Sequence, residues 1–319
     1  MIYIILFLIS FTLTYFIKEY AIKKSLVATV NERSSHTVPT PHGGGIALSI
    51  TWFAGLIYLY LSAQIEANLF FALLTGSIIS VASFFDDIYE LSPKVRLIAQ
   101  SSVAFLGLVS LGGLESINLG VFEITNVFVT NMVAFVAIIW FINLYNFLDG
   151  INGYAGSEAV FLALAGFVLF GGNHFLVLPV AVLGFLYWNW NKAKIFMGDV
   201  GSTLLGYNVA IFTIYYTNQE SANLWIWLAL FGLFWFDATV TLVRRKLNGE
   251  KLSQAHRKHA YQRLTQSGWS HYRVNNYAIG LNLVVLSVVY FVANVAVAFV
   301  LSLLLLVLAM KFVDSKKKF

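Results

Sequence analysis

The stretch that decides the fold is residues 295–312, which read Val-Ala-Val-Ala-Phe-Val-Leu-Ser-Leu-Leu-Leu-Leu-Val-Leu-Ala-Met-Lys-Phe. A helix of about 20 mostly apolar residues is long enough to span the hydrocarbon layer of a bilayer. Similar runs recur along the chain, in which 59% of the residues are hydrophobic and only 11% are charged. A soluble domain carries roughly 25% charged residues, so lipid is the natural surrounding for much of this protein.

The apolar runs predict an all-α, polytopic integral membrane protein that forms one domain over residues 1–319. We count about eleven transmembrane helices, which places the two termini on opposite sides of the membrane. The predicted segments are 1–22, 44–62, 68–85, 97–112, 128–145, 154–172, 175–190, 201–218, 223–242, 274–293 and 295–312.

The distribution of positive charge predicts the orientation. All 20 lysines and arginines follow an odd-numbered segment, whereas the alternate connections carry none. Because cytoplasmic loops are enriched in Lys and Arg, we expect the N-terminus outside and the C-terminus in the cytoplasm. The net charge of +5 is then explained by loop asymmetry, and no nucleic-acid partner is predicted. The first segment is read as a retained helix, because its basic residues follow it and none precedes it.

Two adjacent acids, Asp86 and Asp87, end the third predicted segment. Neighbouring carboxylates near a bilayer repel each other and are costly, so the pair invites a cation. Successive helical residues point about 100° apart, which lets one acid face a shared site while the other meets Lys94 or Arg96. The alternative is a helix end with two solvated acids.

The next cytoplasmic turn contains Asn143, Asn146, Asp149 and Asn152 at intervals of three residues. This spacing allows amides and a carboxylate to converge, and the intervening glycines allow backbone amides to approach a ligand. The alternative is an ordinary Asn-Gly turn with helix-capping side chains.

A third cluster follows the seventh segment, where Asp199 stands between glycines just before a predicted helix. A carboxylate beside the free amides of a helix start can hold a cation together with phosphate. The alternative is a simple helix N-cap. The Gly-x4-Gly-Lys-Ser/Thr pattern of a P-loop is absent from the sequence.

The longest predicted cytoplasmic loop contains His256, Arg257 and His259, which suit a diphosphate better than zinc. The alternative is a loop whose positive charge only sets topology. Asp237 lies inside the ninth predicted segment, and an acid within lipid is by default a functional candidate. A structural partnership with Arg244 or Arg245 is the other interpretation.

With these motifs in place, the sequence resembles the polyprenyl-phosphate N-acetylhexosamine-1-phosphate transferase family (glycosyltransferase family 4). The resemblance runs from about residue 30 to 264 in matching order, and eleven helices is also the family's count. It is carried by Arg33-Ser-Ser-His36 through Gly45, Asp86-Asp87 with Leu91-Ser92 and Arg96-Leu97, Asn143 to Gly153, Phe196-Met-Gly-Asp199-Val-Gly-Ser202 through Gly206, and His256 to Gln262.

The resemblance implies transfer of an amino-sugar-1-phosphate from a UDP-sugar to undecaprenyl phosphate, with release of UMP and with Mg²⁺, or Mn²⁺ in its place. Asp199 and Asn146 match the metal-binding positions, and Asp86 and Asp87 match the catalytic acid pair, to which Asp199 adds a third catalytic acid. Asp149 and Asn152 match nucleotide-recognition positions. The stretch from His256 to His259 matches the loop that holds the diphosphate, and Asn143 and Arg96 complete the predicted substrate-binding set.

The family likeness also implies an active site at the cytoplasmic face of the bacterial inner membrane. Asn152 stands where an Asp is common in bacterial members, and His42 stands where an Arg is frequent. The histidine loop is more similar to the branch that primes O-antigen or capsule synthesis with N-acetylfucosamine or N-acetylquinovosamine donors. The oligomeric state is left open, a homodimer included.

Two other functions compete with this one. A transporter or flippase would place its polar residues at mid-membrane between broken helices, whereas here they cluster at one face and no pair of broken helices is predicted. A CDP-alcohol phosphotransferase would require Ala-Arg and spaced aspartates after Asp149-Gly150, which the sequence does not contain.

The predicted orientation can be tested with single cysteines, because the chain has no native cysteine. We expect Glu115→Cys to react with an impermeant thiol reagent in intact cells and Lys251→Cys to react only after permeabilisation. The cysteine-free parent protein gives the background. The opposite labelling pattern would overturn the cytoplasmic placement of the polar clusters.

Overall fold

A computed structural model describes residues 1–24, 27–28, 40–120, 122–252, 254 and 256–319. Over these residues the regular secondary structure is helical apart from two short antiparallel strand pairs, β1 with β2 and β3 with β4. The elements in chain order are α1 (Ile2–Lys23), β1 (Val27–Ala28), β2 (Thr40–Pro41), α2 (Gly44–Leu61), α3 (Ala67–Tyr89), α4 (Pro93–Leu111), β3 (Ile117–Asn118), β4 (Glu123–Ile124), α5 (Val127–Phe147), α6 (Tyr154–Phe170), α7 (His174–Asn189), α8 (Asp199–Gln219), α9 (Asn223–Leu230), α10 (Gly232–Leu247), α11 (Ala260–Gln266), α12 (His271–Phe291) and α13 (Val295–Lys316).

The structure confirms an all-α architecture of the polytopic membrane type. Within the described ranges, seven helices are long and apolar enough to cross a bilayer, or eight if the bent pair α9–α10 is counted as one span. The helices α6 and α7 are apolar but shorter. Every predicted apolar segment coincides with helix, whereas the total of eleven crossings and the orientation remain predictions.

The helix α8 forms the centre of the bundle. All its residues from Val200 to Thr217 are buried, and it packs against α2, α3 and α5. A helix enclosed by other helices does not meet lipid, so it can carry polar residues that a lipid-facing helix could not. The N-terminus of α8, which begins at Asp199, is therefore held inside the bundle end by its neighbours.

Glycine contacts bring α2 close to the start of α8. The backbone N–H groups of Gly44 and Gly45 donate to the carbonyl oxygens of Phe196 (2.9 Å) and Met197 (2.8 Å). A Cβ on Gly45 would lie 2.3 Å from the backbone nitrogen of Gly201. Only glycine fits such a backbone-to-backbone approach, so this pair fixes where α8 begins.

The sequence predicted one apolar span over 223–242, and the structure divides this stretch into two helices, α9 and α10. The chain bends by 74° between α9 and α10. No proline causes the break. The indole N–H of Trp235 donates to the carbonyl of Leu228 (2.6 Å), and Gly232 packs where a Cβ would lie 2.7 Å from Leu306. The Trp235 side chain thus bonds a backbone carbonyl near the break, and an inserted side chain is one of the known causes of helix kinks.

From the close approach at Gly45 we predict how a substitution there changes the stability of the protein. We expect Gly45→Ala to lower the stability by about 1–3 kcal/mol, because the added methyl group overlaps backbone that cannot move aside. Thermal unfolding of the purified protein in detergent measures the effect. The matched control is Gly280→Ala in α12, where a Cβ meets nothing within 4 Å and a small gain in helix stability is expected. Equal melting temperatures for the two variants would contradict the packing argument.

Candidate active site

A cleft of about 700 Å³ opens at one end of the bundle. It lies where α3 and α5 end and where α8 and α12 begin, and the turn before α2 and the start of α4 also contribute to its walls. Most of the side chains that line it are polar. They include His42, Asp86, Asp87, Arg96, Asn146, Asp149, Asn152, Asp199 and His271.

The carboxylate of Asp87 caps the N-terminus of α8. Its Oδ1 accepts a hydrogen bond from the backbone N–H of Asp199 (3.4 Å) and it also accepts from that of Val200. Gly198 adopts a φ of +75°, and a Cβ there would lie 2.9 Å from Asp87 Oδ2. The helix start attracts the acid, and glycine leaves room for it. Two acids that are distant in sequence therefore meet at one helix end.

The neighbouring Asp86 also lines the cleft, is 8% exposed and has different partners. One carboxylate oxygen accepts from the Leu91 N–H (2.7 Å), and the other lies 3.4 Å from the Arg96 guanidinium. The prediction that the two acids diverge, with one of them meeting a basic residue, is confirmed. Asp86 is braced by its own helix end, whereas Asp87 faces α8.

The turn after α5 brings three of its four predicted residues into the cleft. The side chain of Asn146 hydrogen-bonds Asp199, and Asp149 and Asn152 line the same cavity. Asn143 lies beside the cleft rather than in it. Its amide exchanges hydrogen bonds with Gln100 (2.8 and 3.2 Å) and donates to the Ile139 carbonyl, so it joins α5 to α4.

The main electrostatic property of the cleft is that several acidic side chains are buried close together. The pKa of Asp149 is raised well above its usual value, first by burial and then by the nearby carboxylates of Asp199 and Asp87. His42, on the turn before α2, has a pKa that burial lowers, against the opposing effect of Asp199. Three acids within electrostatic range of one another favour a cation between them.

The donor set fits a hard divalent cation. Its atoms are carboxylate and amide oxygens from Asp87, Asp199 and Asn146, which are the ligands that Mg²⁺ prefers. Among the residues that the structure describes, no three His, Asp or Glu side chains already form a complete metal site. Magnesium commonly takes only one or two protein carboxylates and completes its shell with substrate phosphates and water, so this incomplete set is the expected one.

The predicted histidine loop lies behind the cleft and does not line it. Its three residues, His256, Arg257 and His259, precede α11, where the Tyr261 hydroxyl donates to the Phe147 carbonyl (3.2 Å) at the turn after α5. The His259 ring stacks on Tyr261, with an interplanar angle of 9°. Burial, together with the nearby His259 and Arg245, lowers the pKa of His256 to about 4, which keeps that ring neutral.

Asp237 holds this loop through the start of α11. Both of its oxygens accept from the Ala260 N–H (2.9 Å each), the Thr241 hydroxyl donates to it (3.0 Å), and His259 Nδ1 lies 3.6 Å away. Of the two interpretations of Asp237, a partnership with Arg244 or Arg245 is contradicted, because those side chains pair with Asp314 and Glu250. The acid is a helix cap that crosses from α10 to the loop.

The two arginines organise the ends of α10 and α13. Arg244 makes a bidentate ion pair with Asp314 of α13 (2.8 and 2.9 Å), and Arg263 of α11 also bonds Asp314. Arg245 pairs with Glu250 (3.1 Å). Consequently α10, α11 and α13 are tied together at the side of the histidine loop.

His271, Asn189 and Asn275 were missed by the sequence analysis. His271 lines the cleft, and its Nδ1 accepts from the Asn152 N–H (3.4 Å). Asn189 bridges Gly153 N–H and the Ile195 carbonyl. A lone histidine at the edge of a predicted span carries no motif, so only the fold reveals it. The predicted residues Arg33, His36 and Pro39 lie outside the described residues.

Comparisons with known proteins agree with this site. Residues 69–217 match the family model of glycosyl transferase family 4. The chain is 31% identical over 283 residues to a probable undecaprenyl-phosphate N-acetylglucosaminyl 1-phosphate transferase of Bacillus subtilis (strain 168), covering 84% of this chain and 78% of the relative. It is 28% identical over 309 residues to a decaprenyl-phosphate N-acetylglucosaminephosphotransferase of Mycobacterium tuberculosis, covering 82% and 75%.

A third relative is an undecaprenyl-phosphate alpha-N-acetylglucosaminyl 1-phosphate transferase of Salmonella typhi, 26% identical over 289 residues, with 83% of this chain and 76% of the relative covered. The matched range contains Asp86, Asp87, Asn146, Asp149 and Asp199, which meet in the cleft. The chain is thus a member of glycosyl transferase family 4. More narrowly, it belongs to the polyprenyl-phosphate N-acetylhexosamine-1-phosphate transferase family.

From the helix cap at Asp237 we make a second prediction about the stability of the protein. We expect Asp237→Ala to cost about 1–3 kcal/mol, because the Ala260 N–H loses its partner. Hydrogen exchange at residues 256–262 should rise while exchange in α8 stays unchanged. Thr241→Val is the matched control, since it removes one donor and keeps the cap. Unchanged exchange in the loop of the Asp237→Ala protein would show that the acid does not hold it.

Proposed function

We propose that the protein transfers a sugar-1-phosphate from a UDP-activated N-acetylated amino sugar to undecaprenyl phosphate, releasing UMP. The reaction takes place at the cytoplasmic face of the bacterial inner membrane and primes the synthesis of a lipid-linked glycan such as O-antigen, capsule or a cell-wall polymer. The observation that carries the proposal is the meeting of Asp87, Asp149 and Asp199 in one cleft at the bundle end, in a chain of this family.

Asp199 and Asn146 would hold the divalent cation, Mg²⁺ or Mn²⁺. When bound, that cation neutralises charge on the diphosphate of the donor. The chain's own residues prepare the site in two ways. Asp87 fixes the start of α8, so that the Asp199 carboxylate stands at the cleft wall, and Asn146 orients that carboxylate from α5 through a hydrogen bond.

In the histidine loop, Arg257 would supply positive charge and the two histidines would supply hydrogen-bond donors on the side of the turn after α5. Tyr261 ties the loop to the Phe147 carbonyl, two residues before Asp149. From this position, His256, Arg257 and His259 would stabilise the charge that develops on the departing UMP. Asp237 keeps the loop in place without contacting the substrate.

Direct attack of the lipid phosphate on the sugar-linked phosphorus fits the contacts better than a covalent enzyme intermediate. A phosphate monoester has a second pKa of about 6, so at neutral pH it is mostly dianionic and needs little help from a base. Asp86 is engaged by the Leu91 N–H and Arg96, and Asp87 by the start of α8. Either acid would have to break these contacts before it could act as a nucleophile.

The identity of the sugar is the most specific part of the proposal. The three relatives described above are named for N-acetylglucosamine, which makes UDP-N-acetylglucosamine the first donor to test. The resemblance of the histidine loop to the branch that uses N-acetylfucosamine or N-acetylquinovosamine adds those two donors to the panel.

The test is an assay of the purified protein with undecaprenyl phosphate and each UDP-sugar, following both UMP and the lipid-linked product. We expect product only when Mg²⁺ or Mn²⁺ and both substrates are present. Asp199→Asn should lower the rate by at least about 100-fold, since changes even one shell beyond a metal cost 10–100-fold. Glu115→Gln is the matched control, because it makes the same chemical change at an exposed loop residue.

Two results would contradict the proposal. Near-normal turnover by Asp199→Asn would remove the metal assignment. Exchange of labelled UMP into the UDP-sugar without undecaprenyl phosphate would require a covalent intermediate and would exclude direct transfer.

A further inference from the structure

The first turn of α12 grips the backbone of Asn152. His271 is the first residue of the helix, which Ser270 caps by accepting from the Arg273 N–H. The His271 Nδ1 accepts from the Asn152 N–H (3.4 Å), and the amide of Asn275, one turn later, donates to the Asn152 carbonyl (2.8 Å). Both backbone polar groups of this turn residue are therefore held by one helix.

This contact determines where the His271 ring carries its proton. A neutral imidazole has one nitrogen that accepts and one that donates. Because Nδ1 accepts from a backbone N–H, the proton of the neutral ring is on Nε2. His271 lines the cleft, so it brings to the cavity wall a donor whose tautomer is set by the backbone bond.

An aromatic side chain, Phe196, also lines this cleft. Asn189 bonds both Gly153, next to Asn152, and Ile195, next to Phe196. Phe196 and Asn152 line the same cleft as His271. The wall of the cleft therefore offers an aromatic side chain, an amide and an imidazole donor. A planar heterocycle with carbonyl groups at its edge is the chemistry that such a group of side chains recognises.

We propose that His271 is a substrate-binding residue that donates a hydrogen bond from Nε2 to the nucleotide of the donor substrate, and that Asn275 positions Asn152 beside it. The proposal rests on the proposed function, since it presumes a uridine nucleotide in this cleft. It assigns the end of the cavity near α12 to the nucleotide. The acids at the start of α8 would then be left to hold the cation that binds the diphosphate.

Three substitutions separate the two bonds of the ring. In His271→Asn the amide oxygen replaces Nδ1, which keeps the bond to Asn152 and removes the donor to the cleft. In His271→Gln the amide nitrogen replaces Nε2, which keeps the donor and gives up the backbone bond. His271→Ala removes both. Asn276→Ala, at an exposed position of the same helix, is the matched control.

The measurement is binding of UMP to each purified variant by calorimetry, together with the KM for the UDP-sugar and for undecaprenyl phosphate. We expect His271→Ala and His271→Asn to weaken UMP binding by about 10-fold, the scale of one hydrogen bond. His271→Gln should bind UMP more tightly than His271→Asn, and Asn276→Ala should match the parent. The KM for the UDP-sugar should rise with the UMP dissociation constant, while that for the lipid stays unchanged.

The alternative outcomes are distinct. If His271→Asn binds UMP like the parent and His271→Gln binds like His271→Ala, the ring only braces Asn152, and the contact with the nucleotide is disproved. Parent-like binding by all three variants disproves it as well. If the parent protein binds neither UMP nor any UDP-sugar, the proposed function itself fails. Should His271→Ala not fold, the comparison of Asn with Gln still decides.

Discussion

The hydrogen bonds from the start of α8 to Asp87 are the interaction on which the site depends. They join the end of α3 to the beginning of the central helix, and they place Asp87 and Asp199 at the same point although 112 residues separate them. A helix N-terminus stabilises negative charge through its free N–H groups and its dipole. It is one of the few places in a membrane protein where two acids can be kept side by side.

The rest of the bundle serves to keep that helix end in place. Glycines of α2 let its backbone touch the segment before α8, Asn146 reaches Asp199 from α5, and Arg96 lies 3.4 Å from Asp86. Lipid is excluded from α8 along its whole buried length. The cleft can therefore be polar while the outer surfaces of the bundle meet lipid.

The sequence predicted much of this because the informative residues lie at helix ends. Asp86, Asp87, Asp149 and Asp199 are each next to an apolar run, so their positions along the chain already imply one shared face. The break at Phe231, the pairing of Asn143 with Gln100 and the cap from Asp237 to Ala260 depend on tertiary packing between separate helices. No local periodicity encodes such contacts. His271 belongs to the same class, since it gains its place only when α12 packs beside the turn at Asn152.

The ion pairs of Asp314 have a consequence for biosynthesis. This acid of α13 binds Arg244 and Arg263, which flank the histidine loop on either side. During synthesis α10 and α11 leave the ribosome before α13, so for that interval both guanidinium groups lack this carboxylate. The contacts of these two arginines with Asp314 form only after α13 has been synthesised. A chain that ends before α13 would thus have the histidine loop held by Asp237 and Tyr261 while Arg244 and Arg263 lack the Asp314 carboxylate.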